Sequence, residues 1–231
     1  PATIYVPAFQ KLPAGTPEFV GHNNSELKSY ADIANEGAID DATARRLRHG
    51  YYAAISYMDA QVGLVLDALE KEGLAENTVI VLWGDHGWHL GEKEHWRKFA
   101  LWEEPTRTVF IWKAPGVTAP GGLCARPVDY ASIYPTLCAL AGIPAPATVD
   151  GIDQQAMHGV SFKDTLAVAD APERHTQQYF ESVGNRAMYK DGWWLSMRTE
   201  RIPWVMTPAA IACSAVSPRG GRTMSCAHDR A

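Results

Sequence analysis

The strongest constraint in this sequence is a long helical period that runs almost directly into a short apolar run. Leu47, Tyr51, Ala54, Met58, Val62, Val65 and Leu69 recur at three- and four-residue steps, which predicts one amphipathic helix with a buried stripe. Asp40 or Asp41 can cap its start and Gly73 can stop it. After Asn77-Thr78, the run Val79-Ile80-Val81-Leu82-Trp83 lacks alternation and is rich in β-branched residues, the pattern of a strand covered on both faces. A long helix feeding such a strand is half of an α/β unit. In open α/β sheets ligands gather beyond the carboxyl ends of the strands, and Gly84-Asp85-His86-Gly87 falls at that end.

Composition narrows the functional classes. The 231 residues are 46% hydrophobic, enough for a sizeable core. Charged residues make up 20% and the net charge is -5, which excludes the basic stripe of a nucleic-acid binder. The longest apolar runs fall far short of the roughly 20 residues a membrane helix needs. Cys124, Cys138, Cys213 and Cys226 lack CxxC spacing, arguing against a zinc site or a disulfide framework. The sequence starts Pro1-Ala2-Thr3 with no initiator Met, so it gives no reading of compartment, and oligomeric state is equally open.

Elsewhere the signals are more local. Residues 1 to 38 show no sustained period and read as irregular. Val109-Phe110-Ile111-Trp112 predicts a second strand, and Ser132 to Gly142 a short helix capped by Ser132, with Pro135 in its first turn. Gln177 to Trp194 is aromatic and polar. From about residue 205 the chain loses any period and is expected to be poorly ordered.

The stretch from Gly84 to Lys98 carries the chemistry: acids, three histidines and three cations, bracketed by glycines. Such density after a buried strand is costly unless a ligand or metal balances it. Asp85 at a strand end suits a hard divalent cation, and His86 can add a nitrogen or a hydrogen bond. The alternative is structural, with Asp85 capping the next turn and His86 satisfied in a polar niche. His89 and His95 are either near the site or supporting its loop. Glu92 and Glu103 are expected to pair with neighbouring cations, Arg107 to serve the scaffold, and His49 to be structural. Tyr179, Asn185, Arg186 and Tyr189 read as packing more than as an entrance.

These residues support a family resemblance. TVIVLWGDHGWHLGEKEHWRK resembles the second metal-binding motif of the sulfatase family, within the alkaline phosphatase superfamily, especially its iduronate-sulfatase-like and choline-sulfatase-like branches. YYAAISYMDAQVGLVLDALEKEGLAENT and SIYPTLCALAGIPAP are similar to the flanking segments, so this resemblance covers most of residues 45 to 146. From Val149 to Trp204, DGIDQQAMHGVSF and the aromatic-polar stretch resemble bacterial arylsulfatases instead.

The resemblance implies an alkaline-phosphatase-like α/β sulfatase fold, incomplete at the amino terminus. Residues 1–171 would be the later part of the catalytic domain, and 172–231 the start of a small C-terminal subdomain. The tail from about 205 would be disordered or frameshifted. It also implies a sulfuric ester hydrolase in which Asp85 and His86 hold a calcium ion, while Lys98 acts as catalytic and sulfate-binding residue with His95 beside the substrate. The formylglycine nucleophile, made from Cys or Ser in a C/S-x-P/A-x-R motif, is expected upstream. Cys226-Ala227-His228-Asp229-Arg230 has that motif's ends but His at its third position. The chain alone is therefore expected to be inactive. The expected substrate is a small-molecule, carbohydrate or aryl sulfate ester, with no nucleic-acid or membrane partner. The rivals are a phosphate or phosphonate ester hydrolase of the same superfamily, since such a site accepts either tetrahedral anion, and a non-catalytic metal-binding remnant.

Overall fold

The computed structural model describes residues 4–7, 11–12, 16, 25–33, 38–198, 212–216 and 223–227. In chain order the helices are α1 (Ser25–Lys28), α2 (Asp41–Lys71), α3 (Glu103–Thr106), α4 (Ile133–Ala141) and α5 (Lys163–Ala167). The first six strands are β1 (Ile80–Trp83), β2 (His89–Leu90), β3 (Trp96–Arg97), β4 (Phe110–Lys113), β5 (Thr148–Val149) and β6 (Ile152–Asp153). Five more follow: β7 (Gln177–Ser182), β8 (Asn185–Lys190), β9 (Trp193–Arg198), β10 (Ala212–Val216) and β11 (Thr223–Ala227). The chain divides into two compact units. One holds Pro1–Gly73, Trp83–Val109 and Gln177–Ala231, and the other holds Leu74–Leu82 and Phe110–Thr176. The two units interleave in sequence.

In the first unit α2 starts and stops where the sequence expects. The Asp40 carboxylate accepts the Thr43 N–H at 2.7 Å, and that bond to the charged form holds the Asp40 carboxyl below its ordinary range. At the other end Gly73 adopts φ +70°, the left-handed residue that ends a helix at little steric cost. The buried stripe is shorter than its period predicts. Ala44 and Arg48 are the only buried residues of α2, whereas Met58 is 43% and Val65 68% exposed. The first turns have partners: Leu27, Ile33, Ala44 and Trp96 form a core with Ile39, Leu47 and Leu90 packed on it. Past Arg48 no residue of α2 is buried.

The same unit contains an antiparallel meander in the order β11-β10-β9-β8-β7. Phe180 and Tyr189 pack on a core of Leu101, Ala187 and Trp194, so Tyr189 is a packing residue. Residues 177–198 carried no strand expectation because their aromatic-polar mixture alternates only loosely, yet β7 shows the half-buried alternation. In the tail, residues 212–216 and 223–227 are strands paired with Cys213 opposite Cys226. Residues 205–211 and His228-Asp229-Arg230 lie outside the described residues.

In the second unit β1 pairs with β4, as the two apolar runs predict. The expectation of cover on both faces is not met: Val79 is 37% and Ile111 55% exposed. Cover of a sheet face comes from the elements packed on it, and among the described residues these leave Val79 and Ile111 open. Phe110, Trp112 and Phe162 meet edge to face with centroids 5.3 to 5.7 Å apart. Ser132 does not cap α4 with its side chain. Its hydroxyl donates to Asp129 at 2.8 Å and accepts the Val160 N–H at 3.2 Å, while Gly142, at φ +69°, closes the helix as expected.

Candidate metal and anion site

The motif that follows β1 is shaped by close backbone approach. Gly87 N–H donates to Pro105 O at 2.8 Å, and Trp88 N–H to Glu104 O at 3.0 Å. A Cβ on Gly87 would sit 1.9 Å from Glu104 O and 2.1 Å from Arg107 O, so only glycine fits beneath α3. Beyond it, β2 and β3 form a short antiparallel hairpin pairing His89 with Arg97 and Leu90 with Trp96. Three non-glycine residues there have left-handed backbone: Lys93 (φ +55°), Glu94 (φ +60°) and Arg97 (φ +73°). Such strain persists only where the surroundings over-determine it.

Asp85 and His86 lie side by side. The Asp85 side chain is 85% exposed; its Oδ2 is 3.3 Å from His86 Nε2, and its Oδ1 accepts the His86 N–H at 3.1 Å. The other ring nitrogen, Nδ1, is 2.7 Å from Gly87 O. His86 lies 5.8 Å from the Trp88 ring, nearly parallel to it, and Tyr51 stacks with Trp88 at 6.0 Å. Burial lifts the Tyr51 hydroxyl above its ordinary range.

Lys98 is half-buried, with Nζ 5.8 Å from the Phe99 ring centre. Among the described residues no carboxylate lies within ion-pair distance of it. The other cations of the loop are engaged: Lys93 pairs with Glu104, and Arg97 with Glu26 at 2.7 Å. Glu92 pairs with Arg48 at 3.6 Å and Glu103 with Arg107 at 3.1 Å, as expected of both acids. The Arg107 side chain is 79% exposed, and His49 is exposed on α2. His95 is 2% exposed, with Nδ1 2.6 Å from Lys93 O, and its ring lies 5.1 Å from that of His89, which is fully buried.

Sequence reading passed over two arginines that organise this region. Arg48, 4% exposed, donates to Leu90 O and to the Tyr52 hydroxyl, both at 2.9 Å. Its position next to Leu47, on the inner side of the apolar stripe, is the signal that could have marked it. Arg97 shows no such signal in sequence.

Among the described residues no group of three or more His, Cys, Asp or Glu is arranged to hold a metal. Asp85 and His86 offer one carboxylate and one imidazole. Calcium takes six to eight mostly oxygen ligands, so the pair suits one side of a coordination shell in donor chemistry and does not complete it.

Comparison with solved structures defines the class of fold. One 2-O GAG sulfatase matches 93% of this chain with a TM-score of 0.67 at 19% identity, over 45% of its own length. A phosphonate monoester hydrolase from Silicibacter pomeroyi matches 86% of the chain with a TM-score of 0.64 at 20% identity, over 40% of its length. The architecture is therefore the alkaline-phosphatase-like α/β fold of the sulfatases, present in part. Sequence narrows the class: the sulfatase family model matches residues 5–143, more than half of the chain, and the protein belongs to the sulfatase family. Among curated relatives, a sulfatase of Formosa agariphila is 37% identical over 58% of this chain and 27% of its own length. Mouse (Mus musculus) iduronate 2-sulfatase is 36% identical over 48% of the chain and 24% of its own length. The chain thus spans about a quarter of the length of these relatives. No helix among the described residues is long and apolar enough to cross a membrane.

Proposed function

We propose that this chain is the part of a sulfuric ester hydrolase that carries one side of a calcium and sulfate site. The observation that carries the reading is the charge pattern of residues 84–98: the loop's lysine and arginine other than Lys98 are paired, Asp85 is exposed, and among the described residues Lys98 has no carboxylate partner. A loop that answers its other cations, leaves Lys98 without a carboxylate among the described residues and exposes Asp85 with only His86 beside it suits a cation and an anion from outside.

Asp85 and His86 would hold the metal, which when bound polarises the ester oxygen. Reaching calcium requires them to exchange their mutual contact for the ion, at little cost because Asp85 is exposed. Lys98 would bind the sulfate and offset charge that develops as the sulfur–oxygen bond breaks, a task that suits a point-charge ammonium. The buried position of His95, with Nδ1 against the Lys93 carbonyl, supports a role inside the loop, beside the substrate site through the loop it holds. The formylglycine nucleophile and the remaining metal ligands would come from outside this segment. The substrate class is a sulfate ester of an aryl or carbohydrate alcohol.

The full-length protein that contains this chain provides the test. Lys98→Ala should lower kcat/KM for an aryl sulfate by about 10²-fold, and Asp85→Ala should weaken calcium binding by at least about tenfold in isothermal titration. Undiminished turnover would remove Lys98 from the site, and unchanged calcium affinity would remove Asp85. Faster hydrolysis of the matching aryl phosphonate would favour the phosphonate ester hydrolase.

A further inference from the structure

Lys98 directly follows the most heavily restrained residue of the loop. Arg97 has φ +73°, a backbone conformation that a residue with a side chain adopts only under constraint. Its backbone is paired with His89 in the hairpin, and its guanidinium is held at several points. One Nη donates to Glu26 O at 2.9 Å and the other lies 2.7 Å from Glu26 Oε1. Its carbon is 4.9 Å from the Tyr30 ring centre and 5.6 Å from that of Trp88. Two aromatic rings and an acid on a separate helix therefore fix one side chain, in geometry that suits a planar, delocalised cation better than an ammonium.

The placement matters because of what adjoins it. The direction in which Lys98 leaves the backbone is set by the dihedrals of Arg97, one residue earlier. The Trp88 ring that contacts Arg97 also stacks with His86. One indole is thus shared by the residue beside the proposed metal ligand Asp85 and by the residue that aims the proposed sulfate lysine.

We infer that Arg97, held by Glu26, Tyr30 and Trp88, is a positioning residue that fixes the course of the backbone into Lys98. Arg97 does not touch the substrate; it acts through the backbone it holds in the left-handed region. The inference rests on the proposed role of Lys98 as the sulfate-binding residue.

The test uses the full-length protein that contains this chain, with calcium and inorganic sulfate. Lys98 is acetylated with acetic anhydride, with and without sulfate, and its modification is quantified by mass spectrometry against Lys71, exposed at the end of α2. In the unmodified chain, sulfate should protect Lys98 and leave Lys71 unaffected. Arg97→Gly relaxes the backbone but removes the guanidinium, and it should abolish protection. Arg97→Lys keeps the charge without the planar fork and should restore little of it. Glu26→Gln, which leaves every residue of the loop in place, should reduce protection while the thermal midpoint stays close to that of the unmodified chain. Full protection in folded Arg97→Gly or Glu26→Gln would overturn the positioning role while leaving the Lys98 reading intact. Absence of protection in the unmodified chain would instead overturn that reading, and this inference with it.

Discussion

Two stretches of the first unit are finished to different degrees. In residues 84–98 nearly every demand is answered by a neighbour: Gly87 by the α3 carbonyls, Lys93 by Glu104, Arg97 by Glu26, Glu92 by Arg48. In the later turns of α2, Tyr57 at 71%, Leu64 at 64% and Val65 at 68% exposure face solvent among the described residues. The loop carries its own supports. The helix has an apolar face made for cover that these residues do not supply. Local stability and completeness are therefore separate properties here, and substitutions can separate them.

The largest expected effect is at the closest approach. Gly87→Ala forces a methyl group onto two backbone carbonyls and should destabilise the unit by more than about 3 kcal/mol in denaturant unfolding. A milder cost would mean that α3 can move away from the loop, and the contrast with α2 would weaken. Next comes Arg48→Met, which keeps the apolar stem and strips the charge from a residue whose side chain is 5% exposed. With Glu92 still 24% exposed and able to recruit water, the loss should be about 2 kcal/mol, below the full cost of breaking a buried pair. The smallest effect belongs to the helix. Val65→Ser should change unfolding of this chain by no more than about 0.5 kcal/mol. A loss well above 1 kcal/mol would show the face to be covered and erase the difference between the two stretches.

Much of this contrast is legible in the sequence. The period of α2 is an intrinsic signal, as are the Asp40 cap and the Gly73 stop, so the helix appears where expected. The two apolar runs pair as β1 and β4 for the same reason. What the period could not reveal was cover, because burial depends on what packs against a face and not on the face alone. The site divides along similar lines. The density of charge between Gly84 and Lys98 marks the loop, whereas the roles of Arg97 and Arg48 rest on Glu26, Tyr30 and Tyr52, which lie far from the loop in sequence. Strands β7 to β9 were missed because their partners define them more than any alternation strict enough to read.

The Trp194 indole donates to Leu101 O at 3.0 Å, a bond that spans 93 positions of the chain. For a nascent polypeptide this is a delay as much as a distance. Synthesis at about 5–20 residues per second leaves the stretch just past Lys98 waiting on the order of 10 s for the ring that anchors it. The loop's short-range contacts are available well before that. A chain cut short between these positions would carry the residues of the charged loop without the Trp194 anchor, and protease should cleave it near Leu101 more readily than the chain that includes β9.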